Sequence, residues 1–292
     1  MKKVVLIILI LALCACPILF AACSNVSQRD LTMFSYVCSD DGYEFFSYDV
    51  YHEEAVVGEM SMKFEPLKNR SVTLPCLTDA SGVKSFDGVY GTLFSIDLSM
   101  TNGDAITSRV VYDSDFTPIF SYKSTLIGGV KKDMQVSYEG KYLYTKLYVN
   151  GEESSSSRHK AAGCYDNEML YALVRATAVD NSSYSLSFTA VNPLTASADG
   201  MTISKVGEVA ESVKVLEPTE YTLPEGQTKY TTPCYQFRIA TSNQYASTYS
   251  MTVAKTRQTV KNDKIDITNV KKVIVTITEG EYKYILKDIQ II

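Results

Sequence analysis

The residues of this sequence that could carry out chemistry are few and scattered. Only two histidines occur, His52 and His159, and neither has another histidine or a cysteine at the spacing of a metal site. The segment Asp113-Ser114-Asp115 begins like a calcium loop, but Phe116-Thr117-Pro118 follows where further oxygen ligands and a glycine are required. No G-x-S-x-G, H-E-x-x-H or phosphate-binding glycine loop occurs. The sequence therefore predicts no catalytic residue, no metal site and no cofactor.

Cysteine is the one reactive residue type that recurs along the chain. Of the seven cysteines, four lie beyond residue 30: Cys38, Cys76, Cys164 and Cys234. They contain no C-x-x-C spacing, which argues against a zinc knot or a thioredoxin-type redox pair. Outside the cytosol an even set of cysteines favours disulfides, and four cysteines allow three pairings. The alternative is that all four are buried thiols that pack as small hydrophobic residues.

The N-terminus has the pattern of a secretory signal. Met1-Lys2-Lys3 is a short basic stretch, Val4 to Leu13 is uninterrupted apolar sequence, and small residues precede Cys23. An apolar run of this length that ends in small residues is typical of a cleaved signal rather than of a membrane-spanning helix. We therefore expect the mature protein to be extracytoplasmic.

The residues just before Cys23 indicate how the protein is held at the membrane. The site Leu19-Phe20-Ala21-Ala22-Cys23 resembles the lipobox of bacterial lipoproteins. That resemblance implies that the Cys23 thiol carries a diacylglyceryl group and that the mature chain begins at Cys23, anchored to the cell membrane, or to the outer membrane of a two-membrane cell. Ordinary cleavage near Ala22, with Cys23 a plain thiol, is the alternative. The predicted organisation is residues 1–22 as lipoprotein signal, 23–35 as lipidated cysteine and polar tether, and 36–292 as one β-rich domain.

The composition is that of a globular protein with an acidic surface. Hydrophobic residues make up 46% of the chain and charged residues 21%, which is enough apolar sequence to build a core. The formal net charge of −5 becomes −7 when the signal, with Lys2 and Lys3, is removed. An acidic surface argues against nucleic acid as a partner and against polybasic docking on membranes. The membrane is therefore expected as a partner only through the Cys23 anchor.

Strand periodicity dominates the sequence after the tether. Phe94, Ile96, Leu98 and Met100 alternate with polar residues, and Asn102-Gly103 follows, which predicts a hairpin with a return strand over about Ala105 to Tyr112. Similar alternation occurs near both ends of the β-rich domain. Four other turn signals separate further strands: Gly128-Gly129, Glu139-Gly140, Asn150-Gly151 and Glu279-Gly280. We expect an all-β, mainly antiparallel fold of about ten or more strands in one curved sheet or half-barrel. A mobile loop is expected at Ser154 to Ser157, and a loop or edge strand over Gln244 to Asn262.

One long segment after the N-terminus has helical periodicity, Asp166 to Val179. Its apolar residues recur at three- and four-residue intervals: Met169, Leu170, Leu173, Val174 and Thr177. Asp166 or Asn167 can cap the first N–H groups, and Asp180-Asn181-Ser182-Ser183 favours an end to the helix. We expect this single helix to pack on the concave face of the sheet.

The helix is too short to cover the whole of that face. Fourteen helical residues span about 21 Å, whereas strands lie about 4.8 Å apart, and several predicted strands are apolar on both sides. Uncovered apolar surface usually marks a binding site, and tyrosine suits its wall because the ring is apolar and the hydroxyl polar. The residues expected to face a ligand are Tyr142, Tyr144, Tyr148, Tyr171, Arg175, Tyr282 and Tyr284. Arg175 lies on the helix face of Tyr171 and reaches either a carboxylate or the sheet; alternatively it is solvated and its stem covers apolar surface.

Several segments together resemble a family of bacterial envelope proteins of unknown function. They are Val57-Gly58, the stretch Tyr112 to Pro118, the helix Asp166 to Arg175 around Leu170-Tyr171-Ala172-Leu173, and the ending Lys272 to Ile289. The family is similar in fold to the lipoprotein-localisation factors, so the resemblance implies a strongly curved antiparallel sheet with helix on its concave side. In that family arginine tends to follow the second helical leucine directly, whereas Val174 intervenes here. The family contributes no catalytic residue.

Two functions are compatible with the sequence, and neither is enzymatic. In the first, the concave face binds or carries an apolar or lipid-like ligand, with the helix as plug or lid. In the second, the helix closes that face as an ordinary core, and the protein is a structural or interaction component of the envelope. The excess of apolar strand surface over helix favours the first.

Overall fold

The computed structural model describes residues 42–68, 70–160, 163–177, 184–192, 197–241, 249–255, 262–263 and 270–291. One 15-stranded sheet and a separate two-stranded hairpin account for its strands. In chain order the strands of the first half are β1 Glu44–His52, β2 Ala55–Pro66, β3 Val72–Pro75, β4 Val83–Phe86, β5 Gly91–Met100, β6 Ala105–Asp113, β7 Pro118–Ile127, β8 Val130–Glu139, β9 Tyr142–Val149 and β10 Glu152–Lys160. Those of the second half are β11 Tyr165–Asp166, β12 Ser185–Asn192, β13 Ser197–Glu211, β14 Thr232–Thr241, β15 Tyr249–Ala254, β16 Ile274–Glu279 and β17 Tyr282–Ile291.

The sheet consists of two meanders joined by the first and last strands. Its order is β10-β9-β8-β7-β6-β5-β2-β1-β17-β16-β15-β14-β13-β12-β11. The neighbouring pairs are antiparallel apart from β11 and β12, which run parallel. The expectation of a mainly antiparallel all-β fold of more than ten strands is therefore confirmed.

The predicted hairpin turns fall where the sequence places them. Asn102-Gly103 lies between β5 and β6, and β6 begins at Ala105 as expected. The glycines at these turns have positive φ, for example 91° at Gly103 and 58° at Gly280, a conformation that most other residues adopt only with strain. Each of the other four turn signals also joins two consecutive strands.

Two predictions about the strands are wrong. Ser154 to Ser157 is not a loop but part of β10, an edge strand held by backbone pairing to β9. Of the predicted loop or edge strand over Gln244 to Asn262, the structure describes residues 249–255 and 262, and β15 there is not an edge because it pairs with β14 on one side and β16 on the other; the rest of that stretch lies outside the described residues. The segment between β2 and β5 contains the hairpin β3–β4.

A short helical segment lies on one face of the sheet, which we call the inner face. A 3₁₀ turn, Asn167–Met169, leads directly into the α-helix α1, Leu170–Thr177. The predicted end at Val179 lies outside the described residues. Every residue of α1 except Tyr171 is buried. Among the described residues, none of the helical segments has the length and apolar character needed to cross a membrane.

The sheet curls around this helix. Val136 of β8 and Val191 of β12 belong to one buried cluster, although ten strands separate β8 from β12 in the sheet order. Only strong curvature brings such strands together. Within the described residues the prediction of a single helix on the concave face of a curved sheet is confirmed, and the sheet does not close into a barrel.

Alternation of buried and exposed residues explains why the strands turn this face inward. In β1 the side chains of Phe46, Tyr48 and Val50 are buried while their sequence neighbours are partly exposed. Each large apolar side chain that leaves water contributes about 1.5–3 kcal/mol, so the register with most apolar residues inward is strongly favoured. The opposite face, the outer face, is partly covered by β3–β4, whose Leu74 and Phe86 pack with Phe120.

The cysteines of the described part are buried. Cys76, Cys164 and Cys234 are thiols with exposed fractions of 5% or less, and no disulfide joins any two of them. Burial raises the pKa of Cys234 to about 12, because the thiolate is poorly solvated there. These three cysteines match the alternative of buried thiols. Cys38 lies outside the described residues.

Candidate functional site

A cavity of about 390 Å³ remains between the start of the helix and the inner face. One wall is apolar and comes from adjacent strands of the first meander. Met60 of β2 lies opposite Leu98 of β5, and Leu98 lies opposite Ile106 of β6. Because directly opposed residues of antiparallel strands point to the same face, these side chains form a continuous surface. Met201 of β13 adds apolar surface from the second meander.

Charged residues line another part of the cavity. Lys123 projects from the inner face of β7 and forms an ion pair with Glu168 in the 3₁₀ turn. Both side chains are nearly inaccessible to water, with exposed fractions of 8% and 10%. A charge that is buried needs a partner of opposite sign, and this pair also fixes the start of the helix against β7.

Glu279, at the end of β16, is a second, half-buried carboxylate of the cavity. The hydroxyl of Tyr249 donates a hydrogen bond of 2.5 Å to its Oε1, and Tyr284 also hydrogen-bonds to it. Burial raises the pKa of Glu279, while the two hydroxyls and the charge of Lys123 oppose that rise. Burial and the charge of Glu279 in turn raise the pKa of Tyr249 and Tyr284. Both tyrosines therefore remain neutral donors at physiological pH.

The helix start is capped in a way that aims its residues into the cavity. Asp166 Oδ1 accepts a hydrogen bond of 3.0 Å from the Glu168 amide, as an N-cap residue does. The hydroxyl of Tyr138 donates to the other oxygen at 3.0 Å. Burial raises the pKa of Asp166 to about 6. The cap holds Asn167 and Glu168 at the cavity wall.

Asn167 leaves an acceptor unused in this setting. Its side-chain Oδ1 is enclosed and accepts no hydrogen bond from the described residues, although the residue lines the cavity. A buried acceptor without a donor costs about 1–3 kcal/mol. The cavity thus offers several acceptors: the Asn167 amide oxygen and the carboxylates of Glu168 and Glu279.

Two of the seven residues expected to face a ligand line this cavity. They are Tyr171 on the helix and Tyr284 on β17. Tyr171 also packs against Phe94, with 6.1 Å between the ring centroids. Burial and the charges of Glu279 and Glu168 raise the pKa of its hydroxyl well above the ordinary value.

Three other expected residues lie on the outer face. Tyr142, Tyr144 and Tyr148 alternate along β9 with Leu143, which packs inward beside Cys164. The guanidinium of Arg158 lies 3.8 Å from the ring centre of Tyr142, and the Tyr148 hydroxyl donates to Glu153 at 3.3 Å. Because neighbouring strand residues point to opposite faces, these tyrosines cannot reach the cavity.

Tyr282 and Arg175 are also separate from the cavity lining. Tyr282, the first residue of β17, is 39% exposed and lies beside His52, with 5.2 Å between the ring centroids. Arg175 is 1% exposed and pairs with Glu44, with 2.6 Å between Nη2 and Oε2. Arg175 thus reaches a carboxylate, as expected, and is not solvated, but it stabilises the core and does not line the cavity. Cys23 lies outside the described residues.

Sequence reasoning missed the charged members of the site. Lys123 could have been found, because it shares its strand face with Ser121 and Thr125, a polar row beside the mainly apolar inner faces of the neighbouring strands β6 and β8. Glu168 lies in the first helical turn, where a negative charge is favourable in any helix, and Glu279 belongs to a predicted turn, so neither stands out in the sequence. Their convergence depends on the curvature of the sheet.

Comparisons with known proteins leave the site to be interpreted on its own geometry, and the resemblance to envelope proteins stays a prediction. No family model matches the chain, and neither a curated protein nor a solved structure matches it.

Proposed function

We propose that this is a lipid-anchored extracytoplasmic binding protein whose cavity takes one small amphipathic molecule. The observation that carries the proposal is the meeting of an apolar wall with a cluster of buried hydrogen-bond acceptors. Ligand sites are typically apolar concavities with a few placed polar groups, and this cavity has that composition. The proposal assigns no catalytic step to the protein.

The size of the cavity limits the ligand. A volume of about 390 Å³ lies near the lower end of the range of about 300–1,000 Å³ for ligand pockets. Since one water occupies about 30 Å³ in the liquid, the cavity holds a molecule of roughly a dozen heavy atoms. A single short chain with a small head group fits this space, whereas a two-chain lipid does not. The broader expectation of a lipid-like ligand is narrowed accordingly.

The charges of the cavity favour a cationic head group. Among the described residues that line it, the carboxylates of Glu168 and Glu279 face the ammonium group of Lys123, which is paired with Glu168, so one of the two carboxylates is not balanced by a cation of the lining. The acceptor of Asn167 adds to the need for donors. A primary ammonium group carries three N–H donors and a positive charge, so it complements this surface better than an alcohol or a carboxylate.

The anchor is the second part of the proposal. Lipidation at Cys23 would hold the domain at the membrane surface through a polar tether of about twelve residues, where single-chain amphiphiles partition. Replacing Cys23 by serine and expressing the protein in a native-like host tests this part. Loss of membrane retention supports the anchor, and unchanged retention removes it.

Binding is tested with three probes of equal chain length: octylammonium, octanol and octanoate. The protein is purified with Cys23→Ser, and binding is measured by native mass spectrometry and by displacement of an apolar fluorescent dye. We expect octylammonium to bind most tightly and octanoate most weakly. A hydrogen bond to a charged group contributes about 1.5–3 kcal/mol, so Glu279→Gln should weaken octylammonium about tenfold or more and leave octanol nearly unchanged.

A matched pair of substitutions separates the cavity from the rest of the surface. Leu98→Trp fills the apolar wall, whereas Ser99→Trp places the same side chain on the outer face one residue away. The first should abolish dye binding and the second should not. The protein contains no tryptophan, so each introduced indole also reports on its own surroundings by fluorescence. An empty protein that binds neither dye nor probe would favour the structural or interaction component instead.

A further inference from the structure

The two edges of the large sheet differ in how well they are protected. β11 has only two residues and leads straight into the helical segment. β10 has nine residues, of which only Ser157 and His159 are less than fully exposed, and within the described part it pairs with β9 alone. A long edge strand offers unpaired N–H and C=O groups to another strand. β10 contains no proline that would prevent such pairing.

The charges of β10 follow a pattern that specifies its partner. Two acidic residues, Glu152 and Glu153, begin the strand, four serines follow, and Arg158, His159 and Lys160 end it. When two copies pair antiparallel about a twofold axis at Ser156, the acidic end of each copy lies against the basic end of the other. Parallel pairing would instead place like charges side by side, which is unfavourable.

The pattern tolerates the irregularity of the strand. The register between β10 and β9 shifts between Glu153 and Ser155, so Ser154 adds one residue to the strand. Shifting the acidic residues by one position still leaves them opposite the three basic residues at the other end. The serines in the middle are small and uncharged, so they let two backbones approach to about 4.8 Å, the normal spacing of paired strands.

We propose that β10 is the dimerisation edge of this protein, and that its partner is β10 of a second copy, paired antiparallel in an isologous contact. About half of the nine residues direct their backbone groups to the free edge, which gives about eight hydrogen bonds across the twofold axis. The basic end is already ordered in one copy, because Arg158 stacks on Tyr142 at 3.8 Å. The acidic end is likewise held by the ion pair of Glu153 with Lys146, at 3.0 Å. The proposal is independent of the cavity.

Position-specific cross-linking of the full chain tests the geometry. At the twofold axis the two Ser156 Cα atoms lie about 4.5–5.5 Å apart, within the disulfide range of about 4.4–6.8 Å. Two Ser154 residues lie more than about 10 Å apart in the same arrangement, given about 3.3 Å per residue. We expect Ser156→Cys to form a covalent dimer under mild oxidation, and Ser154→Cys and the parent chain, which controls for the native cysteines, not to do so. Equal cross-linking of both variants, or none at Ser156→Cys, would overturn the proposal.

Charge reversal in the Ser156→Cys background tests the pattern itself. Reversing the acidic end with Glu152→Lys and Glu153→Lys, or the basic end with Arg158→Glu and Lys160→Glu, should lower the cross-linking yield about tenfold or more. Combining all four changes restores opposite charges across the axis and should restore the yield. All four positions are exposed, and the combined variant lacks every local contact that either half lacks, so a restored yield cannot come from restored local contacts. A combined variant that stays as low as its halves contradicts the charge argument.

Discussion

The buried ion pair between the helix and the first strand makes the most quantitative prediction of this structure. Arg175 of α1 is 1% exposed and Glu44 of β1 is 3% exposed. The guanidinium donates to Glu44 at 2.6 Å, to the carbonyl oxygen of Lys271 at 2.8 Å and to that of Lys272 at 3.0 Å. It also lies over the ring of Phe64, 4.4 Å from its centre. One side chain therefore connects the helix, two central strands and the segment before β16.

Replacing Arg175 by methionine keeps an apolar stem and removes the guanidinium. The buried Glu44 carboxylate would lose its charged partner, which typically costs about 3–5 kcal/mol. Two carbonyl oxygens would lose donors worth about 1 kcal/mol each, but these costs overlap and do not add in full. We expect a loss of about 3–5 kcal/mol, a large share of the roughly 5–15 kcal/mol that stabilises a typical protein.

A double-mutant cycle shows whether the lost pair is the cause. Glu44→Met alone leaves the buried guanidinium without its carboxylate partner and should lower the free energy of unfolding by a similar amount. The double variant, Arg175→Met with Glu44→Met, leaves no uncompensated charge. The double variant should therefore be more stable than the sum of the two single losses predicts, by about 2 kcal/mol or more.

Urea unfolding followed by far-UV circular dichroism measures these free energies, provided that the m-value is unchanged. Arg109→Met is the matched control, because Arg109 pairs with Asp97 at 2.9 Å on a partly exposed surface. Exposed pairs contribute about 0–1 kcal/mol. The reasoning fails if Arg175→Met costs no more than Arg109→Met, or if the two single losses simply add.

Three further predictions concern backbone packing and pH. A Cβ at Gly91 would lie 2.0 Å from the carbonyl oxygen of Tyr112, so Gly91→Ala should lower the free energy of unfolding in urea by about 1–3 kcal/mol. The control is Gly207→Ala, whose Cβ would meet nothing within 4 Å and which should change stability by less than about 0.5 kcal/mol. Because folding raises the pKa of Asp166 from 3.8 to about 6, the folded state binds its proton more tightly, and the stability that this contributes is lost as pH rises through 6; Asp166→Asn should flatten the pH profile between 4 and 7. Burial and the charge of a neighbouring arginine, Arg175, lower the pKa of Lys272 from 10.5 to about 8. Above pH 8 the unfolded chain therefore binds more protons than the folded one, and the free energy of unfolding should rise from pH 8 to pH 10. A Lys272→Met variant that keeps this rise contradicts the assignment.

Local sequence signals are sufficient for most strands and for the helix. Hairpin turns such as Asn102-Gly103 are recognisable because the backbone there needs positive φ, and the strands between them alternate in polarity. β10 escaped detection because an edge strand that is exposed on both faces needs no apolar residues, and four serines have the composition of a loop. The backbone alone pairs β10 with β9, so its side chains need not alternate between polar and apolar.

The site depends on contacts that no local pattern contains. Lys123, Glu168 and Glu279 come from three elements far apart in sequence, and each alone resembles an ordinary surface charge. Alternation shows that Tyr142 and Leu143 face opposite ways, but which of them points inward depends on what covers each face. Arg175 could be expected to find a carboxylate, yet its partner lies 131 residues away in the chain, beyond any periodic signal.

The pairing of β1 with β17 has a consequence for the order of folding. Glu44 lies opposite Ile291, so the seam between the two meanders closes the longest loop in the domain, and pairing between such distant residues is slow. Each meander consists largely of hairpins between consecutive strands and can assemble while the rest of the chain is still being made. Until β17 arrives, however, β1 is a bare edge in the middle of the future sheet, open to association with other chains. The interval between the emergence of β1 and that of β17 is therefore the period in which a chaperone would protect this chain most.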